Sequence, residues 1–315
     1  MPFLLAAPAA ALAQETGGFP SKPVRIIVPY SPGGVSDISA RLMAEPLAAR
    51  WGQAVPVENR AGADGIVGSD AIAKSAPDGH TLGVVSVGHP VNAAFYKLPY
   101  DTMRDFSFVT LLTKTPLVLC AGANFAPSSP SELVSYGKKN AGEVTFAAAG
   151  GVVRLAPLLF AQRTGLQMTG VTYRGSTQAH PDLMAGRADI MFDTVPAALA
   201  HIRSGALKAL ATTGPQRAPQ LPDVPTIAES LLPGFEAQTW GMVIAPANIP
   251  GQLLLRLSED CAAAIRRPDI VERHKVLGAE VGTSTPEETR RYVEAELQKW
   301  GEAARNAGIQ PGAPT

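Results

Sequence analysis

Four short stretches of this chain carry residues able to hold a ligand. Residues 29–37 read Pro29-Tyr30-Ser31-Pro32-Gly33-Gly34-Val35-Ser36-Asp37 and follow a β-branched run. Adjacent glycines let a backbone come close to a ligand. A helix starting there offers unpaired N–H groups and the positive end of its dipole to an anion. Ser31 and Ser36 add hydroxyl donors. Asp37 has two readings: it repels an anion, or it caps the helix and leaves the donors free. Phe146-Ala147-Ala148-Ala149-Gly150-Gly151 repeats the order of strand, small-residue loop and helix. Arg154, one turn further on, has the fork geometry that suits a carboxylate; taken alone, it also reads as a solvated surface arginine. Tyr173-Arg174-Gly175-Ser176 and Phe192-Asp193-Thr194 end two further strands. Open α/β sheets bind ligands at such strand ends. Loops of this kind in two halves of one chain suggest a cleft between two domains.

Catalytic signatures are missing. There is no G-x-S-x-G elbow, H-E-x-x-H, C-x-x-C, G-x-G-x-x-G or phosphate-binding G-x-x-x-x-G-K-[ST]. The five histidines (His80, His89, His180, His201 and His274) show no metal-ligand spacing. No cofactor or metal is expected. Cys120 and Cys261 sit in apolar stretches and read as buried free thiols, although a disulfide is open to them after export.

The elements that must position these loops follow from composition and pattern. The 27 basic and 27 acidic residues among 315 cancel, which excludes nucleic-acid binding by bulk basicity. Thirty glycines and 28 prolines imply many turns, not a helical bundle. Strands are expected at 24–28, 55–58, 81–87, 116–120, 143–147, 169–173, 188–192, 207–212 and 239–245. Helices are expected at 37–50, with a kink or early end at Pro46, and at 66–75. Three more are announced by caps at Ser129-Pro130-Ser131-Glu132, Thr226-Ile227-Ala228-Glu229 and Thr285-Pro286-Glu287-Glu288, the last reaching about Ala307. This alternation argues for an α/β fold with largely parallel sheets. Residues 3–13, FLLAAPAAALA, have the length and the Ala-Leu-Ala end of a signal-peptide core without its basic start. The expected mature chain begins near Gln14 and is soluble outside the cytoplasm.

Taken together, six segments resemble the Bug-type receptors, the extracytoplasmic solute-binding proteins of tripartite tricarboxylate transporters. They are PSKPVRIIVPYSPGGVSDISARL, VENRAGADGIVGSDAIAKSAPDGHTL, KLPYDTMRDFSFVTLL, VTYRGSTQAHPDLMAGRADIMFDT, LPDVPTIAES and TPEETRRYVEAELQKW, in family order over residues 19–310. The resemblance implies a two-domain Venus flytrap of the type 2 periplasmic-binding-protein fold, with the ligand cleft between the domains. The expected first domain is 19–122 plus 247–315 and the second 123–246, behind a tail of residues 1–18. The crossings fall near 121–124 and 245–250.

The family's grip on a carboxylate carries over to Tyr30, Ser31, Gly33, Gly34, Ser36 and Asp37, and to Ser86 and His89 on a second strand-end loop. In the other domain it carries over to Ala148, Gly150, Gly151, Arg174, Gly175, Asp193 and Thr194. The departure is AAAGGVVRLAP at 147–157, where the resemblance leads one to expect G-x-G-S-x-x-H-L-A. Gly151 replaces a serine and Arg154 a histidine, so a permanent charge joins the expected site. The implied function is non-enzymatic capture of a small carboxylate (a dicarboxylate, an aromatic acid or an acidic amino acid) by a periplasmic monomer that delivers it to membrane permease subunits. The alternatives are presentation to a sensor kinase, or a secreted α/β hydrolase.

Overall fold

The computed structural model describes residues 18–149 and 151–312. The expected signal segment therefore lies outside the described residues, as does Gly150. The chain opens with β1 (Arg25–Val28), α1 (Val35–Trp51), β2 (Val57–Asn59), α2 (Ile66–Ala73), β3 (Thr81–Ser86) and α3 (Gly88–Phe95). A long strand, β4 (Phe106–Gly122), leads to α4 (Pro130–Lys139), β5 (Thr145–Ala148), α5 (Gly151–Thr164), β6 (Thr169–Thr172) and α6 (Ser176–Met184). Then come β7 (Ile190–Thr194), α7 (Val195–Arg203), β8 (Leu207–Thr212) and the short α8 (Ile227–Ser230). The chain closes with β9 (Gln238–Pro246), α9 (Gly251–Ile265), α10 (Pro268–Val276), β10 (Glu280–Val281) and α11 (Pro286–Asn306).

The strands run in the order β2-β1-β3-β9-β4-β7-β5-β6, with β8 and β10 also on β4. The two wings are parallel: β2-β1-β3 on one side and β7-β5-β6 on the other. Every pairing at the centre is antiparallel. The expectation of largely parallel sheets is corrected there. β4 and β9 have no helical crossover linking them to their sheet neighbours, and only such a crossover makes neighbours parallel. β4 also proves far longer than the expected 116–120. Residues 106–116 pair with β9, and residues 117–121 pair with β7. One strand thus serves both halves of the sheet.

Alternation along these strands builds the cores, because successive side chains point to opposite faces. Ile26 and Val28 enter one cluster with Leu47, Leu257 and Ile265 under α1 and α9. Ile27 enters another, which continues through Phe106, Leu117, Phe146, Phe160, Phe192, Trp240 and Trp300. Beyond the change of partners, Val118 and Cys120 face a third cluster with Met191 and Val195. Both faces are covered, which is why the strands read as nearly continuous apolar runs. Each such side chain contributes roughly 1.5–3 kcal/mol of burial.

Local signals work as expected at most helix ends. Ser129 accepts from the Glu132 N–H at 3.2 Å at the head of α4. Thr285 and Glu288 close a reciprocal capping box on α11, with bonds of 2.9 and 3.2 Å. Thr226 and Glu229 do the same for α8, which lasts only four residues. Pro46 does not end α1, which continues to Trp51 and stops at Gly52 in a left-handed conformation (φ 65°). Cys120 and Cys261 are free and buried.

Candidate functional site

The first wall of the site begins where β1 ends. Gly68 on α2 lies so close to the β1–α1 loop that a Cβ there would sit 2.7 Å from both Pro29 Cα and the Arg60 carbonyl oxygen. Only glycine permits that approach, and it packs α2 against the loop that carries Tyr30. The Tyr30 hydroxyl accepts from the Ser86 N–H at 3.1 Å, and its carbonyl accepts from Asn59 Nδ2 at 3.1 Å. Burial raises the Tyr30 pKa, against a smaller opposing effect of the Ser86 hydrogen bond, so the phenol stays neutral.

Neither sequence reading of Asp37 is its role in the fold. The residue is buried, accepts from the Gly33 N–H at 2.9 Å and from Asn59 Nδ2 at 2.9 Å, and pairs with Arg41 at 3.0 Å. Burial works to raise its pKa, but the Arg41, Gly33 and Asn59 donors outweigh it and hold the carboxyl below its ordinary range. Its charge is spent inside the loop. The residue preceding the helix is Gly34, which has no side chain to cap with. Ser31, Gly33 and Gly34 are exposed and Ser36 half-buried, and none of them lines the cleft.

Helix α3 supplies the rest of this wall. Gly88, Val91, Asn92 and Phe95 share one face at the i, i+3, i+4, i+7 spacing and line the cleft, joined by Tyr96. His89 points the other way. It is 1% exposed, lies 3.4 Å from Ser69 Oγ through Nδ1, and its ring meets Phe106 edge-on at 4.7 Å. Burial drives its pKa down to about 4, so it is neutral at pH 7. The expectation that His89 lines the site is thus corrected: one helical position turns it into the core. Asp64 completes the wall from the turn before α2, at φ 53° and ψ 31°. Its Oδ2 accepts from the Tyr96 hydroxyl at 2.6 Å, and its carbonyl accepts from Asn92 Nδ2 at 2.9 Å.

The second wall comes from the other half of the sheet. Gly151, Val152, Val153 and Arg154 form the first turn of α5, and Thr194 stands where β7 passes into α7. Gly151 has φ 53°, a left-handed value that suits a residue without Cβ. Arg154 reaches across the cleft, its Cζ 5.0 Å from the centre of the Phe95 ring. Among the described residues it makes no ion pair. Tyr30, Ser86, Gly151, Arg154 and Thr194 therefore meet around one space of about 340 Å³.

The other expected residues lie elsewhere. Ala148 is buried at the end of β5. Arg174 is exposed, and Gly175 precedes α6; neither lines the cleft. Asp193 is buried with its oxygens taken, accepting from Ser176 Oγ at 2.7 Å, the Thr194 N–H at 2.8 Å and His180 Nε2 at 2.8 Å. It braces the strand end that presents Thr194. The sequence reading missed Asp64, Asn92, Phe95, Tyr96 and Thr239. The signal for two of them, Asn92 and Phe95, was the 88-91-92-95 spacing directly after a strand end, which marks a helix with one face toward the strand-end side.

This arrangement suits binding. Ser176 and His180 both hydrogen-bond to Asp193, so no imidazole faces the serine hydroxyl as a base would. Ser39 Oγ lies 2.8 Å from His274 Nε2, but both residues are buried away from solvent, and His274 Nδ1 donates to the Ile270 carbonyl at 2.9 Å. No cluster of three or more metal-ligating side chains occurs among the described residues. No described helix is long and apolar enough to cross a membrane.

A two-lobed α/β chain with a polar cleft at the strand ends of both halves defines a solute-binding protein of the Venus-flytrap class. Known proteins make the assignment specific: the tripartite tricarboxylate transporter family receptor, TctC, matches over residues 39–309, and the chain belongs to that family. It is 36% identical over 297 residues to Protein BugT of Bordetella pertussis, covering 93% of this chain and 91% of that one. R. palustris Rpa4515, solved with adipate, aligns with a TM-score of 0.77 and 32% identity, covering 93% of this chain and 99% of the other. MatC (Rpa3494) of Rhodopseudomonas palustris, with bound malate, aligns with a TM-score of 0.73 and 33% identity over 91% of this chain and 100% of the other. The family is one of solute-binding receptors, not of enzymes.

Proposed function

We propose that this protein captures a small organic acid in the cleft between its two walls and delivers it to the membrane subunits of a tripartite transporter. The observation that carries this reading is Arg154, a cation without an ion-pair partner among the described residues, set at the head of a helix opposite a hydroxyl-rich wall. Adipate and malate on two relatives point to the same ligand chemistry. Tyr30, Ser86, Gly151 and Thr194 supply the remaining polar contacts. Ser31, Gly33, Gly34 and Ser36 join them when the walls close.

The two lobes divide where β4 changes partners. Among the described residues, one lobe comprises 18–116 together with 238–312, and the other comprises 117–149 and 151–237. The crossings on this reading move from those expected near 121–124 and 245–250, supported by the pairing of all of β9 with β3 and the first part of β4. Each wall holds only part of the donor set, so a ligand gains its full contacts only in the closed form and shifts the population toward it.

Two measurements test this. A panel of organic acids, applied to exhaustively dialysed protein, should raise the melting temperature for the acids that bind. The gain is about 2.7 kcal/mol at a hundredfold excess over Kd. No shift with any acid overturns the reading, as does steady chemical conversion of a panel member. Small-angle scattering should show a smaller radius of gyration with a binding acid than without it; identical curves reject closure.

A further inference from the structure

The cleft is bipolar. Its charged lining residues, among those described, are one acid and one base, Asp64 and Arg154. Both act on the Tyr96 hydroxyl, Asp64 raising its pKa through a 2.6 Å hydrogen bond and by its charge, and Arg154 lowering it by its charge. Yet the two form no ion pair with each other. Opposite charges that share a cleft without neutralising one another leave both ends open to a ligand.

Asp64 is also held in place at a cost. Ala63 and Asp64 both adopt left-handed backbone, at φ 44° and 53°, where side chains other than glycine are disfavoured. Asn92 pins the Asp64 carbonyl at 2.9 Å and Tyr96 pins Oδ2. Oδ1 carries no hydrogen bond among the described residues and is open to a donor. Strained backbone held by such a frame is characteristic of sites that must present a group in one orientation.

We infer that the ligand is a monocarboxylate bearing an ammonium or other strong hydrogen-bond donor at its far end, not a dicarboxylate. This rests on the receptor reading above and narrows it. The carboxylate engages Arg154, and the donor end engages Asp64. Asp64 is exposed with the cleft as it stands; a second carboxylate would face it as a like charge once the walls close and water leaves, which disfavours binding. Tyr30, Phe95 and Tyr96 also line the cleft and give it apolar ring surface beside the two charges.

The test uses pairs matched in length: succinate against 4-aminobutyrate, glutarate against 5-aminovalerate, and adipate against 6-aminohexanoate. Isothermal titration of the dialysed protein should find the amino acid tighter than its dicarboxylate partner by about tenfold or more at the length that fits, the weight of one charge-assisted hydrogen bond. Asp64→Asn keeps a residue that tolerates the left-handed turn and removes only the charge. It should reduce or invert that preference while the melting temperature of the free protein stays unchanged. Tighter binding of the dicarboxylates to the native protein overturns the inference and leaves the receptor reading standing. So does an unaltered preference in Asp64→Asn. Failure of all six to bind, when another acid of the wider panel does bind, overturns the inference alone; failure of the whole panel overturns both.

Discussion

Replacing Arg154 with alanine should lower affinity for a binding acid by about 2–5 kcal/mol, the loss that follows from removing one side of a desolvated, hydrogen-bonded charge pair. The guanidinium is half-buried, stands over the Phe95 ring and, among the described residues, has no ion-pair partner. Its charge is therefore free for a ligand, and closure of the cleft would remove water from the contact. The same substitution should change the stability of the free protein by less than about 1 kcal/mol, since it breaks no ion pair within the protein and only a partly exposed cation–π contact. Arg154→Lys should fall between the two, because lysine keeps the charge and loses the two-pronged geometry. Titration calorimetry on the three proteins decides the matter. An affinity unchanged by Arg154→Ala returns this residue to a solvated surface arginine.

Glu296→Ala should destabilise the fold by about 2–5 kcal/mol, since it strips the acceptor from two buried indole N–H groups. Glu296 is 4% exposed on α11, and its Oε2 accepts from Trp240 Nε1 and from Trp300 Nε1, both at 2.9 Å. Lys299 pairs with the other oxygen. Trp240 lies in β9, so this one carboxylate fastens the final helix to the centre of the sheet. The Tyr292 ring packs edge-on against Trp240 at 5.8 Å and carries Lys114 over its face at 4.6 Å. Glu296→Gln keeps an acceptor oxygen and should cost clearly less than alanine. Urea unfolding followed by tryptophan emission measures both. A loss under about 0.5 kcal/mol for Glu296→Ala would mean that water reaches the indoles, against the packing described above.

The two residues differ in how visible they were beforehand. Arg154 stood out because it follows a strand and a small-residue loop and occupies a place where the family resemblance leads one to expect histidine. Glu296 did not, because one more glutamate on a helix rich in charged residues carries no sign that two tryptophans from distant parts of the chain will close over it. The same contrast runs through the cleft. Tyr30 and Ser86 were reachable from strand ends. Asp64, Asn92, Phe95 and Tyr96 were not singled out, because the α3 helix that orients three of them went undrawn. His89 was drawn to the cleft by resemblance alone, and the helix rotates it into the aromatic cluster of Tyr100 and Phe106.

What the sequence determined by itself is local. Helix starts at Ser129, Thr226 and Thr285 follow from side chains that reach backbone groups three residues away. Most strand positions follow from β-branched and apolar runs. The candidate loops follow from glycines and small residues at strand ends. The ordered set of motifs also sufficed to identify the family. What only the tertiary structure decided is long-range. The antiparallel centre of the sheet, the change of partners within β4 after Pro116, and the choice of which side of α3 faces the cleft all depend on pairings between residues scores of positions apart. The neutralisation of Asp37 by Arg41, Gly33 and Asn59 and the placing of Asp64 opposite Arg154 depend on the same packing. A capping bond or a strand's alternation is set by neighbours within about four residues, which the chain displays in order. Which face is buried and which charge is left unpaired depend on what the rest of the chain brings alongside, and local sequence does not encode that.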